Sequence, residues 1–306
     1  MATESAQAHG RGARRAQGRG SCQEAAPQCS RCGMQGHRAA ACSKPFYKVE
    51  SNLPYNPRSR GQPRQLMKVE CYECGEWGHR RAECPQRARI RQAAKVSMED
   101  PAIQAKLEDF SNCYRSLENG YTISEGEREA VNNVGGSDVY GELMPVATLH
   151  LLQALDLKSD DVFFDLGCGT GKVVLLTAMF SDVSRAVGLE LSETRVNTAC
   201  EAIARAKLEK RCSIFKEDFL TTPHLRDATV CFGCNYTLPK ESFTKLFLRL
   251  IEVPRLRLVA TLKNPFHQME ETARDEWGAA FKAAGTLRLN CSWAPQVLVY
   301  LYRRRE

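Results

Sequence analysis

The 306-residue chain has no run of eighteen or more apolar residues, so no transmembrane helix is expected. Its opening, MATESAQAHGRGARRAQGRGS, has no apolar stretch, which argues against a secretory signal. Arg, Ala, Gly and Ser there would suit an organelle transit peptide, but the Gly–Arg repeats read better as a flexible basic arm. Acidic residues are scarce in the front third. Residues 1–95 carry 7 Asp/Glu against 18 Lys/Arg, a net +11, whereas the remainder carries 29 against 25, a net −4. The overall +7 hides this asymmetry, which suggests a nucleic-acid-facing module joined to a catalytic or structural one. Without a signal, the fourteen cysteines do not read as the disulfide framework of a small secreted protein, and a reducing compartment, cytosol or nucleus, is expected. With 43% apolar residues, most of the chain should fold, into one or two domains of ordinary size.

Eight cysteines and histidines fall into a repeated pattern. Residues 29–42 read CSRCGMQGHRAAAC and residues 71–84 read CYECGEWGHRRAEC, both C-x2-C-x4-H-x4-C. Cys29, Cys32, His37 and Cys42 form one ligand set, and Cys71, Cys74, His79 and Cys84 form the other. Three thiolates and one imidazole at this spacing enclose a tetrahedral zinc ion, and so short a loop depends on the metal for its folding free energy. Two structural zinc ions are therefore expected. The pattern resembles the zinc knuckle of retroviral nucleocapsids and RNA-processing proteins, which implies binding of single-stranded RNA or DNA. The second copy carries Tyr72 and Trp77 for base stacking and Arg80 and Arg81 for phosphates, whereas the first has Ser30 and Gln35 at the aromatic positions. The second copy is thus expected to contact bases, with the first weaker or protein-binding.

These motifs divide the front of the chain into a disordered basic arm at 1–28, a knuckle at 29–42, a flexible Pro- and Arg-containing linker at 43–70 and a knuckle at 71–84. A helical lead-in is expected over 85–133, broken by Pro101, and a catalytic domain over 134–306. From residue 145 helices and strands alternate: ATLHLLQAL, DVFFDLG, GKVVLLTAMF, RAVGLEL, then a helix from Ser192 as its cap. Strands CSIFKEDF and ATVCFGCN follow, then helix PKESFTKLFLRLI, strand RLRLVATL and a helix over MEETARDEWGAAFKAA. Strands TLRLNCSW and QVLVYLYR end the series, with only Ala294 and Pro295 between them. Alternation predicts an α/β fold with a parallel sheet covered by helices on both faces. So short a last connection forces an antiparallel closing hairpin. Five parallel strands closed this way describe a Rossmann-like methyltransferase fold rather than a dehydrogenase.

The turn DLGCGTG supplies Gly167, Gly169 and Gly171 for close backbone approach at a helix N-terminus. Its spacing is G-x-G-x-G, not the G-x-G-x-x-G of dinucleotide sites. Asp165 ahead of it suits a ligand ammonium and would repel pyrophosphate. Glu190 ends the second strand, where an acid can bind ribose hydroxyls, and Asp218 and Phe219 end the third, positioned for adenine. Together these point to S-adenosylmethionine.

The back half, about 134–302, resembles the Dot-one family, histone lysine methyltransferases without a SET domain, through DVYGE, FFDLGCGTGKVVL, VGLE, EDFL, CNYTL, LKNPF and SWAPQVLVYLY. Lys172 stands where the family usually has Gln, and Cys234 replaces an Asn. The resemblance implies that Tyr140 and Glu142 close over the cofactor, that Asn235 lies near the transferring methyl, and that Tyr236 and Tyr300 wall the acceptor-lysine channel. It implies a nuclear enzyme acting on histones in the nucleosome core, with no membrane partner, by direct in-line attack of a neutral lysine amine on the sulfonium methyl. Cys168 and Cys234 read as packing residues. Alternative readings are an RNA methyltransferase served by the knuckles, a lysine methyltransferase of non-histone protein, and a nucleic-acid-binding scaffold with a silent fold. NPF at 264–266 superficially suits amino-group methylators but follows the fifth strand rather than the fourth.

Overall fold

A computed structural model of the chain describes residues 99–306. The basic arm, both knuckles with their eight zinc ligands, Tyr72, Trp77, Arg80, Arg81, the linker and the first part of the lead-in lie outside the described residues.

Pro101 starts a helix instead of breaking one. Asp100 caps helix α1 (Pro101–Cys113), its carboxylate accepting the Ala102 amide at 2.9 Å, and proline at the first position loses no helical hydrogen bond. Helix α2 (Glu125–Asn133) opens with a reciprocal capping box between Ser124 and Glu127. Helix α3 (Pro145–Leu155) precedes the first strand.

The alternating core follows: β1 (Val162–Leu166), α4 (Lys172–Phe180), β2 (Arg185–Glu190), α5 (Glu193–Ala206), β3 (Cys212–Lys216), β4 (Val230–Gly233), α6 (Lys240–Glu252) and β5 (Leu258–Thr261). The short helix α7 (Pro265–Gln268), α8 (Glu271–Ala280) and the strands β6 (Phe281–Leu289) and β7 (Val297–Arg304) complete it. One seven-stranded sheet runs in the order β3-β2-β1-β4-β5-β7-β6. Strands β1 to β5 are parallel, and β7 is antiparallel to both β5 and β6. This is the Rossmann-like fold of S-adenosylmethionine-dependent methyltransferases expected from the alternation.

Period-two side-chain alternation builds two cores from each strand. Phe163, Val230 and Leu258 face one side with α1, α3, α4 and α5; Phe164, Cys231 and Val259 face the other with α6 and α8. No helix among the described residues is long and apolar enough to cross a membrane.

The closing hairpin departs from expectation in two respects. The helix over MEETARDEWGAAFKAA stops at Ala280, and residues 281–284 are already strand. Phe281 is fully buried and stacks on Trp277 at 4.2 Å, while its backbone pairs with Arg304. Tertiary pairing overrides the helical propensity of an alanine-rich run. The connection is also longer than two residues, running from 290 to 296. Ser292 and Trp293 leave the ladder because the loop pairs with the segment before α3: the Ser292 amide donates to Glu142 O at 2.8 Å, the Glu142 amide to Ser292 Oγ at 3.0 Å, and Leu143 bridges Cys291.

Candidate cofactor and acceptor site

Strand order reverses between β1 and β4, so the crevice beyond their carboxyl ends is where a sheet of this kind receives a ligand. A cavity of about 400 Å³ lies there. Nine of the residues singled out from sequence line it: Tyr140, Glu142, Asp165, Gly167, Gly169, Glu190, Phe219, Asn235 and Tyr236.

The glycine turn is built for close approach. Gly167, Gly169 and Gly171 have φ of +80°, +54° and +76°. At Gly169 a Cβ would strike the Tyr140 ring, so a side chain is excluded both by conformation and by contact. The turn does not present its main chain as an anion cradle. Gly167 and Cys168 amides donate to Leu189 O, Gly169 to Glu190 Oε2, Thr170 to Tyr140 Oη and Gly171 to Cys168 O. All five amides are engaged within the protein, so the turn itself offers an anion no free main-chain donor.

What remains is acidic. Asp165 is 2% exposed, and its Oδ1 has no hydrogen-bond partner. Burial, then the charge of Glu190, raises its pKa to about 8. A buried carboxylate held this way fits a cationic group arriving from a ligand. Glu190 is fixed by the Leu191 and Ser192 amides, both 3.0 Å from Oε1, and by Gly169 at 2.9 Å. Arg195, almost completely buried, stands 3.8 Å from Glu190 and 4.6 Å above the Tyr140 ring. It donates to Gly120 O and Asp138 O, joining the lead-in and the VYGE segment to α5.

The VYGE segment lies against the turn through one network. Tyr140 Oη donates to Glu142 Oε1 at 2.6 Å and is 2.9 Å from Thr170 Oγ1. Burial, then the Glu142 charge, raises the Tyr140 pKa far above the usual phenol range, so it stays a hydrogen-bond donor. Lys172 Nζ sits 2.7 Å from both Glu142 oxygens.

The mouth is apolar and aromatic. Tyr236 and Trp293 are 55% and 41% exposed, with ring centroids 6.4 Å apart. Gly141 lets the indole lie flat against the main chain, since a Cβ there would strike it. Exposed Val139 completes this rim.

A family model described as histone methylation protein DOT1 matches residues 127–230, which span the turn, Glu190 and Phe219, and a zinc-knuckle model matches residues 69–86. Over those residues the chain is similar to the DOT1 and zinc-knuckle families. A protein-lysine N-methyltransferase of Saccharolobus islandicus (strain REY15A) is 32% identical over 80 residues, 26% of this chain and 49% of that protein. An H3 lysine-79 specific histone-lysine N-methyltransferase of Caenorhabditis elegans is 40% identical over 63 residues, 21% of this chain and 7% of that protein. The matched stretches thus span less than half of either relative. Among solved structures, an RNA methyltransferase from Salinibacter ruber in complex with S-adenosyl-L-homocysteine superposes with a TM-score of 0.39 at 20% identity, over 52% of this chain and 90% of that one.

Four of the expected site residues are placed as follows. Asp218 does not line the cavity; its carboxylate accepts the Leu220 amide at 2.7 Å and holds its own turn, and the neighbouring Glu217 lines the cavity instead. Tyr300 is also absent from the lining, because its register opposite Thr261 turns it to the face covered by α6 and α8. Gly171 shapes the turn against Ala199 and does not reach the cavity. Asn235 lines it, but its amide ties β4 to β5: Nδ2 donates to Thr261 Oγ1 at 2.8 Å, and Oδ1 accepts the Leu262 amide at 3.3 Å. The amide thus holds the segment after β4 against β5. Cys168 and Cys234 line the cavity with thiol pKa values raised by burial, consistent with packing rather than nucleophilic roles.

Among the lining residues given no site role from sequence are Lys172, Arg195, Glu217 and Trp293. Lys172 and Trp293 stand inside motifs whose match was visible, and Glu217 is one position from the acid chosen. Arg195 gives no local signal, since its partners at Gly120 and Asp138 are brought to it only by the fold.

Proposed function

We propose that this chain is an S-adenosylmethionine-dependent lysine N-methyltransferase of histone protein in the nucleosome core, acting in the nucleus, with two zinc-binding knuckles as its nucleic-acid anchor. The observation that carries the cofactor assignment is the buried, partnerless Asp165 oxygen beside a glycine turn whose five amides are already engaged. That arrangement suits an ammonium. Glu190, in this reading, receives the ribose hydroxyls, and Phe219 and Glu217 border the adenine.

When bound, S-adenosylmethionine supplies an electrophilic sulfonium methyl. The chain itself needs no nucleophile. Its residues position the acceptor amine and exclude water. Tyr236, Trp293 and Val139 form an aromatic and apolar entrance for the aliphatic stem of a lysine, whose amine loses its proton before it attacks. Among the described residues the only basic side chains lining the cavity, Lys172 and Arg195, are each paired with acid or carbonyl groups. A protein side chain suits this rim better than a polyanionic RNA. The relatives named for protein-lysine and H3 lysine-79 methylation support the same acceptor class.

The test is methyl transfer from radiolabelled S-adenosylmethionine to nucleosomes, free histones and total RNA, side by side. Label on nucleosomes in excess of free histones is expected. Ribonuclease-sensitive label on RNA would replace this reading with the RNA alternative.

A further inference from the structure

We propose that Arg195 is a positioning residue that latches the Gly120 and VYGE stretches shut over the cavity, and that this latch sets the affinity for S-adenosylmethionine. The inference rests on the S-adenosylmethionine reading above and adds the residue that governs closure. It begins from a charge in an unfavourable place. A helix N-terminus favours acidic side chains, yet Arg195 is the third residue of α5 and is 3% exposed. A buried cation there needs partners from outside its own helix.

Those partners belong to the two stretches that flank α2. The guanidinium is a planar fork of donors. Its Nε donates to Gly120 O at 3.0 Å and its Nη2 to Asp138 O at 2.8 Å. Nη1 stands 3.8 Å from Glu190 Oε1, and the fork lies 4.6 Å above the Tyr140 ring. The same ring packs on Gly120 and Gly169, where a Cβ would strike it, and meets Tyr121 edge-on at 5.0 Å. One side chain thus joins the carbonyls of two irregular stretches, the ring that lies on the glycine turn, and the acid assigned to the ribose.

The linkage is local. Between the two stretches, α2 is held on α5 independently, because Glu127 accepts the Ser192 and Thr194 hydroxyls and the Thr194 amide. Loss of Arg195 therefore frees the stretches on either side of α2 and leaves α2 docked. Where a cavity binds its ligand only when closed, apparent affinity falls with the closed fraction, and saturating ligand restores closure. The latch acts on KM for S-adenosylmethionine and not on kcat.

The experiment compares the full chain with Arg195→Lys and Arg195→Met. Lysine keeps the charge beside Glu190 but replaces the two-pronged fork with one ammonium. Hydrogen exchange of the ligand-free proteins is read by mass spectrometry, S-adenosylhomocysteine binding by calorimetry, and methyl transfer to nucleosomes by steady-state kinetics. Both variants are expected to exchange faster around Gly120 and over 136–142, with α2, β4 and β5 protected as in wild type. Affinity is expected to weaken roughly 10- to 100-fold, the range for hydrogen bonds to a charged group, with KM rising in step and kcat within about twofold. Wild-type exchange and affinity in both variants overturn the inference. Affinity kept by R195K and lost by R195M assigns the effect to charge beside Glu190 and overturns the latch. Loss of protection throughout the sheet, with kcat lost as well, shows a general structural role and also overturns it. Failure of wild type to bind S-adenosylhomocysteine overturns the cofactor reading and this inference together, an outcome distinct from the other three.

Discussion

The Glu127 carboxylate holds Thr194 twice, accepting its amide at 2.9 Å and its hydroxyl at 2.7 Å. The same carboxylate accepts the Ser192 hydroxyl at 2.9 Å and completes the capping box of its own helix with Ser124. One side chain thus caps two helices and fixes the segment that follows Glu190. Burial opposes ionisation of Glu127, but hydrogen bonds from Thr194, Ser192 and Ser124 outweigh it and lower its pKa to about 2. A lowered folded pKa contributes stability that is present above the ordinary carboxylate range and lost as pH falls through 2. Glu127→Ala is expected to cost about 1–2 kcal/mol in urea unfolding at neutral pH, the range for losing a helix cap. It should also weaken cofactor binding through Glu190. An unchanged midpoint would show that the clamp contributes nothing.

Asp165 has the opposite sign. Its folded pKa, raised to about 8, lies above the ordinary value of 3.8. The ligand-free fold favours the protonated form, so this group's contribution is full below that ordinary value and is lost as pH rises through 8. Asp165→Asn is expected to leave the ligand-free protein at least as stable at neutral pH while abolishing thermal stabilisation by S-adenosylmethionine. Wild-type affinity should weaken below pH 8 by up to about tenfold per unit, the limit for one linked proton. A variant that still binds S-adenosylmethionine as wild type does would remove Asp165 from the site.

At Gly169 conformation and contact act together. Gly169→Ala places a side chain at φ +54° and into the Tyr140 ring. The left-handed conformation alone costs about 1–2 kcal/mol. Displacement of Tyr140 should add a loss of cofactor affinity larger than that stability change explains. Matched melting and binding curves decide between a local strain and a rebuilt site.

Trp293 should separate the two halves of the cavity. It is 41% exposed, so Trp293→Ala is expected to cost little stability. Cofactor affinity should change less than about twofold, while kcat/KM for the protein acceptor falls at least about tenfold, the size of a modest hot-spot loss. Equal losses in both readouts would mean that the indole supports the VYGE segment rather than the acceptor.

For the knuckle sequence at 71–84, Cys74→Ser should release one of two zinc ions and weaken nucleic-acid binding, most visibly at low salt. Atomic absorption on the purified chain checks the first, and a salt series of binding curves the second. Unchanged zinc content would remove Cys74 as a ligand.

The chain's own pattern determined much of this. Alternating helices and strands, three glycines after an acid, and Ser192 ahead of α5 are local signals, and each was legible because the physics behind it acts within a few residues. The parallel order of β1 to β5, the antiparallel closure and the placing of Asp165 and Glu190 at strand ends follow from them. Tertiary structure alone decided the rest. Phe281 became strand because β7 offered it a partner and Trp277 a stacking face. Ser292 and Trp293 left the hairpin because Glu142, 150 residues earlier, supplied their segment with hydrogen bonds. Glu217 rather than Asp218 faces the cavity because Asp218 is held by its own turn. Arg195 and the Lys172–Glu142 pair join segments far apart in the chain. Sequence spacing carries no information on such contacts, because burial and charge neutralisation arise only once the sheet has brought those segments together.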